Sequence, residues 1–589
     1  MKLPKLRSSA RTAPPAGNTR RLTIVAKDPG VTFADGSLAF AEVDVPAENL
    51  IPGPTGYRVK VVDYDATAQV LYLPRASYSD DAGEPVDPFA FPAEAEASQE
   101  ARLLHQARLL ENPNFHAQNA YAIVMRTLAR FEFALGRRVS WGFRGHQLHV
   151  APHAFLEANA FYSEEDQGLF FGYFPGLSGA TVFTCLSHDI VAHETTHALL
   201  DGLRTHFTEP STPDQAAFHE ALADVVALLS IFSLPEIVGR ILRDEPPRTR
   251  DGRIPLIEPE KLTVDALTDS VIAGLGLQVG REFPDGHGAA LRQSVRLKPD
   301  PTLLQQPEFL EEHRRGEVLA AAMMRAFLTL WRRRIDQLGT FEGRYNLDMV
   351  VESGAKVADH LLTMAIRAID YCPPTDIDFS AYLAALLTAD AEVVPDDSRF
   401  HYRATLAETF RAYGIAPPTE GCREDGVWDR FKPKEPVTYA RSNFDSMLRD
   451  RDEVFRFIWE NRGALGIDGR GQIEVDSVLP SVRHGPDGFL LKETVCTYVE
   501  TAELFGAEVE KVLGVERPAG MPTTERVTAY GGGVIVFDQY GQIKFHIAHR
   551  LRSPRQAYRL ALLWDRGATA VAADRRNRFA VAHRTRMEG

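Results

Sequence analysis

The stretch Asp189-Ile190-Val191-Ala192-His193-Glu194-Thr195-Thr196-His197-Ala198-Leu199-Leu200-Asp201-Gly202 places an H-E-x-x-H pattern inside an apolar run that reads as a helix. A helix turns about 100° per residue, so positions four apart return to one face a turn further on. His193 and His197 therefore offer two imidazoles to one metal ion. Glu194 stands one step round the helix, where its carboxylate can reach a water in the metal's open position without being a ligand. Five-residue patterns also arise by chance, and two histidines on an apolar helix are often buried polar residues with partners. The metal reading therefore needs a further donor.

A catalytic zinc usually takes three protein ligands and keeps the fourth place open. Phe218-His219-Glu220-Ala221-Leu222-Ala223-Asp224-Val225-Val226-Ala227-Leu228 supplies the missing one on a second, mostly apolar helical run. Glu220 and Asp224 are a turn apart, so Glu220 can ligate while Asp224 accepts the outward N–H of a ligating histidine and fixes its tautomer. Reading this pair as solvated helix charges fits poorly with apolar neighbours on nearly every side. The expected cofactor is one catalytic Zn2+ held by His193, His197 and Glu220.

At these residues the chain resembles the thermolysin-like zinc peptidases, the gluzincins in which H-E-x-x-H is followed by a helix carrying E-x-x-x-D. Upstream, Asn159-Ala160-Phe161-Tyr162 is similar to the family's N-A-F-W edge strand. The resemblance implies that Asn159 and Ala160 pair with an extended substrate. It also implies that Arg292, in Ala290-Leu291-Arg292, holds a substrate carbonyl, and that His313, in Glu312-His313-Arg314-Arg315-Gly316, is the transition-state histidine. All four segments come in the family's order, and the likeness spans about 101 to 370. The implied fold class is α+β, a two-lobed thermolysin-like zinc peptidase core with a small N-terminal β-rich domain and a C-terminal α+β extension.

The chain also departs from the family. The glycine after the second-site histidine comes three residues on, at Gly316, where the family has four. His219 precedes the third ligand where asparagine is common. Ile231 occupies an acidic calcium position of the secreted members, so calcium is not supported even though Asp189 is present. His287, in Asp285-Gly286-His287-Gly288, is a loop histidine that could take the role if His313 does not.

The chain has 589 residues, 44% hydrophobic and 25% charged, enough to bury more than one core. A net charge of -14 argues against nucleic acid or an anionic membrane as the main partner; the resemblance implies a polypeptide substrate, and any regulatory protein partner is unidentified. Four widely spaced cysteines with no C-x-x-C indicate a reduced compartment without a disulfide framework. No apolar run of signal length follows the basic N-terminus, and nothing later reads as a membrane span. The expectation is a cytoplasmic protein, with specialised export leaving no readable trace.

Composition and periodicity divide the chain into a tail at 1–21, a β-rich unit at 22–79, a linker at 80–100 rich in Asp, Ala, Pro and Glu, and the peptidase domain at 101–416. A second linker at 417–443 precedes an α+β unit at 444–589. His146, His149 and His153 have spacings of three and four across strand and loop, and read as an exposed strand edge. Tyr530-Gly531-Gly532-Gly533 lacks the G-K-S/T of a phosphate loop and reads as a turn before a strand.

The implied reaction is metal-assisted peptide hydrolysis, with Glu194 as general base to a water activated by zinc and His313 stabilising the oxyanion. An aminopeptidase is the first rival, but no G-x-M-E-N segment is present to capture a free amino terminus. A metal-bound scaffold without activity is the second, and it would have no need of Glu194.

Overall fold

A computed structural model gives the fold for residues 19–27, 29, 36–176, 179–209, 211–242, 248–249, 254–274, 294–485 and 488–567. The class is α+β. Strands β1 (Thr19–Val25) and β2 (Phe40–Pro46) form an antiparallel ribbon in register from Thr19 opposite Pro46 to Val25 opposite Phe40. After β3 (Val59–Val61) and the small hairpin of β4 (Tyr64–Asp65) and β5 (Val70–Leu71), the chain forms α1 (Ala93–Ala97), α2 (Gln99–Leu110) and α3 (Pro113–Leu135). Helix α3 starts where the Asn112 side chain accepts from the Asn114 N–H with Pro113 in the first turn, and stops at left-handed Gly136. It is buried on nearly all sides over its first four turns, the position of a helix inside a core.

Strands β6 (Leu148–Phe155), β7 (Ala160–Ser163), β8 (Gly168–Pro175) and β9 (Thr181–Phe183) join β3 in a five-stranded sheet of order β3-β6-β8-β7, with β9 also on β8. Pairing of β3 with β6 and of β6 with β8 is parallel, whereas β7 runs antiparallel to β8 and is the outermost strand beside α4 (His188–Leu203). Helix α5 (Pro213–Phe232) packs on α4, and α6 (Pro235–Leu242) and α7 (Val264–Gly274) follow it. The helical lobe continues with α8 (Glu312–Ile335), α9 (Leu347–Arg367), α10 (Phe379–Val393) and α11 (Tyr402–Ala412).

Two expectations about organisation need correction. The 22–79 segment is β-rich, but β3 belongs to the five-stranded sheet, and Leu22, Ile24, Val43 and Val45 enter the same apolar core as α3, α4 and α5. Stretch 80–100 is also not a bare linker: Asp87 accepts hydrogen bonds from Thr23 and Gln118, and the stretch contains α1. Polar composition hid these contacts, because the side chains are satisfied by residues distant in sequence. The expectation that nothing reads as a membrane span is also corrected, since the length of helix α5 and its mean hydropathy of 1.4 over a span-length window would suit a bilayer. That window is 94% buried inside the protein, so this helix is apolar because it lies in the core.

The C-terminal part is an antiparallel meander, Gln472–His484, Leu490–Phe505, Arg526–Asp538 and Ile543–His549, in that order across the sheet. The Tyr530 to Gly533 run lies inside its third strand, not in a turn. Gly532 has φ +145°, and a Cβ there would sit 2.5 Å from the Tyr498 carbonyl oxygen, so close strand approach explains the glycine. The sheet is joined to helices α3 and α9 by a buried network in which Asp370 accepts from Arg137 at 2.6 and 2.7 Å and from Arg483. Arg483 also donates to Glu493 at 2.6 Å and to Tyr371 at 3.0 Å. All four cysteines are free.

Candidate metal centre

Helix α4 is buried from His188 through Asp201. Ser187 is its N-cap residue and donates its hydroxyl hydrogen to Asp189, whose charge suits the positive end of the helix dipole. Near the other end, a Cβ on Gly202 would lie 2.2 Å from the Ser140 carbonyl oxygen, so only glycine lets the last turn approach that loop. Held at both ends, the helix presents His193 and His197 edge to face, with ring centroids 4.6 Å apart and Nε2 atoms 3.0 Å apart.

Glu220 on α5 brings Oε2 to 3.4 Å from His193 Nε2 and Oε1 to 3.6 Å from His197 Nε2. One donor atom from each of the three residues lies within 4.8 Å of the other two. The outward nitrogens are engaged: His193 Nδ1 is 2.9 Å from Asp224 Oδ1, and His197 Nδ1 is 2.8 Å from His219 Nδ1. With a proton on each outward nitrogen, both Nε2 lone pairs turn inward. Two imidazole nitrogens and a carboxylate converging in this way form a donor set that suits zinc.

The electrostatics favour positive charge at this point. Burial opposes protonation of His193, but the Asp224 and Glu220 carboxylates outweigh it and hold the imidazolium well above its ordinary range. Burial likewise opposes ionisation of Glu220, yet His313, His197 and His193 hold its carboxyl well below the usual range. A bound cation would supply the charge these carboxylates attract.

Glu194 is fully buried, and its Oε2 accepts the backbone N–H of Tyr162 at 3.1 Å. Since Tyr162 is on β7, the acid is tied to the outermost strand. Ala160 begins that strand and Asn159 precedes it: Asn159 Oδ1 accepts the Ala160 N–H at 2.8 Å, and Asn159 Nδ2 is buried without a hydrogen-bond partner among the described residues. Arg292 and His287 lie outside the described residues.

His313 is in the first turn of α8, where Glu311 caps the helix by accepting from the N–H groups of His313 and Arg314. One turn later, Gly316 meets α5: a Cβ there would be 3.1 Å from the Ala217 oxygen and 3.5 Å from Glu220 Cβ. That close approach sets His313 Nδ1 3.4 Å from Glu220 Oε2. Gly316 thus follows His313 by three residues because three residues are one turn of the same face. The acidic group beside the ring is Glu220.

His219 was noted in the sequence only as a departure from asparagine, and its part in the centre was missed. Its ring stacks on that of His197 with centroids 5.0 Å apart. Its place immediately before Glu220 was the available signal. Asp201 accepts the Tyr162 hydroxyl at 2.9 Å, and burial, then Glu164, raises its carboxyl to about 7. Comparison with protein-family models gives no match, and comparison with curated proteins gives none either.

Proposed function

We propose that this chain is a thermolysin-like zinc metallopeptidase, an endopeptidase that hydrolyses peptide bonds in polypeptides. The observation that carries the reading is the convergence of His193, His197 and Glu220 beside a Glu194 that is fully buried and hydrogen-bonded to β7. His193, His197 and Glu220 would hold the zinc, which when bound supplies Lewis acidity and lowers the pKa of a water from about 16 towards about 7. Asp224 and His219 keep the two imidazoles in the tautomer that turns Nε2 inward.

Glu194 takes the proton from the attacking water as the new C–O bond forms, then delivers it to the leaving nitrogen as the C–N bond breaks. His313 stabilises the oxygen that gains negative charge. An extended substrate lies along the outer side of β7, where Asn159 and Ala160 orient it. The alternatives retain the same donor set: an aminopeptidase or other zinc hydrolase, or a metal-bound scaffold in which Glu194 has no role.

A peptide-library digestion with and without a zinc chelator tests the proposal. Internal cleavage that stops with chelator and returns with zinc is expected. Release of N-terminal residues only would favour the aminopeptidase. No cleavage by zinc-loaded protein would leave the scaffold reading.

A further inference from the structure

Away from the H-E-x-x-H helix, His116, His153 and Cys185 place one donor atom each within 4.8 Å of the other two. They come from three elements: the first turn of α3, strand β6, and the 3-10 turn Thr184–Leu186 that leads into α4. His153 is therefore not on an exposed strand edge, as its local spacing suggested. His116, His153 and Cys185 are 1%, 2% and 0% exposed.

The ring protons can be assigned from the outer partners. His116 Nε2 lies 2.7 Å from the Leu110 carbonyl oxygen, which only accepts, so that nitrogen is N–H. His153 Nδ1 lies 3.0 and 2.9 Å from the two oxygens of Asp63, which places its proton there. The remaining nitrogens, His116 Nδ1 and His153 Nε2, then face each other at 2.8 Å with two lone pairs. This is the arrangement of His193 and His197 repeated: outer N–H groups engaged, inner nitrogens converging, a third donor alongside. Two bare lone pairs at that distance repel unless a cation lies between them. A shared proton, paired with Asp63, would satisfy the two nitrogens but would not engage the Cys185 sulfur, which lies within 4.8 Å of both.

We propose that His116, His153 and Cys185 form a second metal site, for a borderline-soft divalent ion of the zinc class, with Cys185 bound as thiolate and Asp63 as the outer partner of His153. On binding, the Cys185 Sγ proton leaves to solvent and an Sγ–metal bond forms; no oxidation is involved. One dication, one thiolate and the Asp63 carboxylate then sum to zero, which suits a buried site. Metal–nitrogen bonds of about 2.0–2.1 Å require the two imidazoles to part by roughly half an ångström. The ion clamps α3 and β6 to the turn preceding α4, so its role is to position the helix that carries His193. The proposal does not depend on the peptidase reading.

The test uses the full chain, stripped with chelator under reducing conditions and refilled with cobalt(II). A thiolate-to-cobalt charge-transfer band is expected in the parent and in His193→Ala/His197→Ala, whose first centre contains no sulfur to contribute to it. Bound cobalt should be about two ions per chain in the parent and about one in that double variant. The band should disappear in Cys185→Ser and persist in Cys422→Ser, which alters the more exposed cysteine. A folded, cobalt-saturated parent without the band overturns the proposal without needing any variant, as does a band that survives in folded Cys185→Ser. A band lost in Cys422→Ser would assign the sulfur ligand elsewhere and overturn it too.

Discussion

The backbone N–H of Tyr162 donates to Glu194 Oε2 at 3.1 Å, so one hydrogen bond fixes the buried acid of α4 to the outermost strand of the sheet. Glu194→Gln can keep this bond through its amide oxygen but has no basic oxygen to accept a proton. The variant should retain zinc at the parent level and lose peptide hydrolysis by about 10²–10⁴-fold. Metal analysis beside a peptide cleavage assay measures both quantities, and turnover near the parent rate would remove Glu194 from the role of base.

Glu220 and Asp224 occupy one face of α5 but do different work. Glu220→Ala removes a donor and should leave little zinc under a competing chelator. Asp224→Ala removes only the acceptor of His193 Nδ1–H and should weaken zinc binding by about 10–100-fold. Equal retention of zinc by the Glu220 variant and the parent would mean that the third ligand has been misplaced.

His313 stands beside Glu220, so two roles predict different results. As oxyanion donor, His313→Ala should lower kcat by about 10²–10³ with little change in KM or zinc content. If it only steadies Glu220, the loss should appear in zinc affinity, and added zinc should restore kcat.

Asp370 joins the two parts of the molecule. Burial alone would raise its carboxyl, but Arg137 and Arg483 lower it from 3.8 to about 2. Because the folded value lies below the unfolded one, this carboxylate contributes full stability above about pH 4 and loses it as pH falls through about 2. Asp370→Ala leaves the buried Arg137 without its carboxylate, while Arg483 keeps Glu493, and should cost about 3–5 kcal/mol in denaturant unfolding. An unchanged midpoint at neutral pH would show that the joint does not depend on this pair.

The motif helices were legible because α4 and α5 carry apolar residues around their whole circumference, and their His and Glu positions follow from a local repeat of 3.6 residues. The later helices were readable for the same reason, and strands β6 to β8 from short runs of apolar and aromatic residues. Polar stretches were read less well: Asp87 lies in a segment that looks like a linker, yet Thr23 and Gln118 claim its carboxylate.

By itself, the sequence determined which side chains α4 presents together, that a carboxylate helix follows, and that the chain combines helices with strands, since these depend on neighbours along the backbone. Only the tertiary structure decided that Gly316 lets α8 approach α5 and bring His313 to Glu220, that His219 backs His197, and that His116, His153 and Cys185 meet. Those encounters join residues far apart in sequence, and no periodicity records them. They follow from burying several apolar helices and a sheet in one core, where each remaining polar side chain must find its partner across the packing.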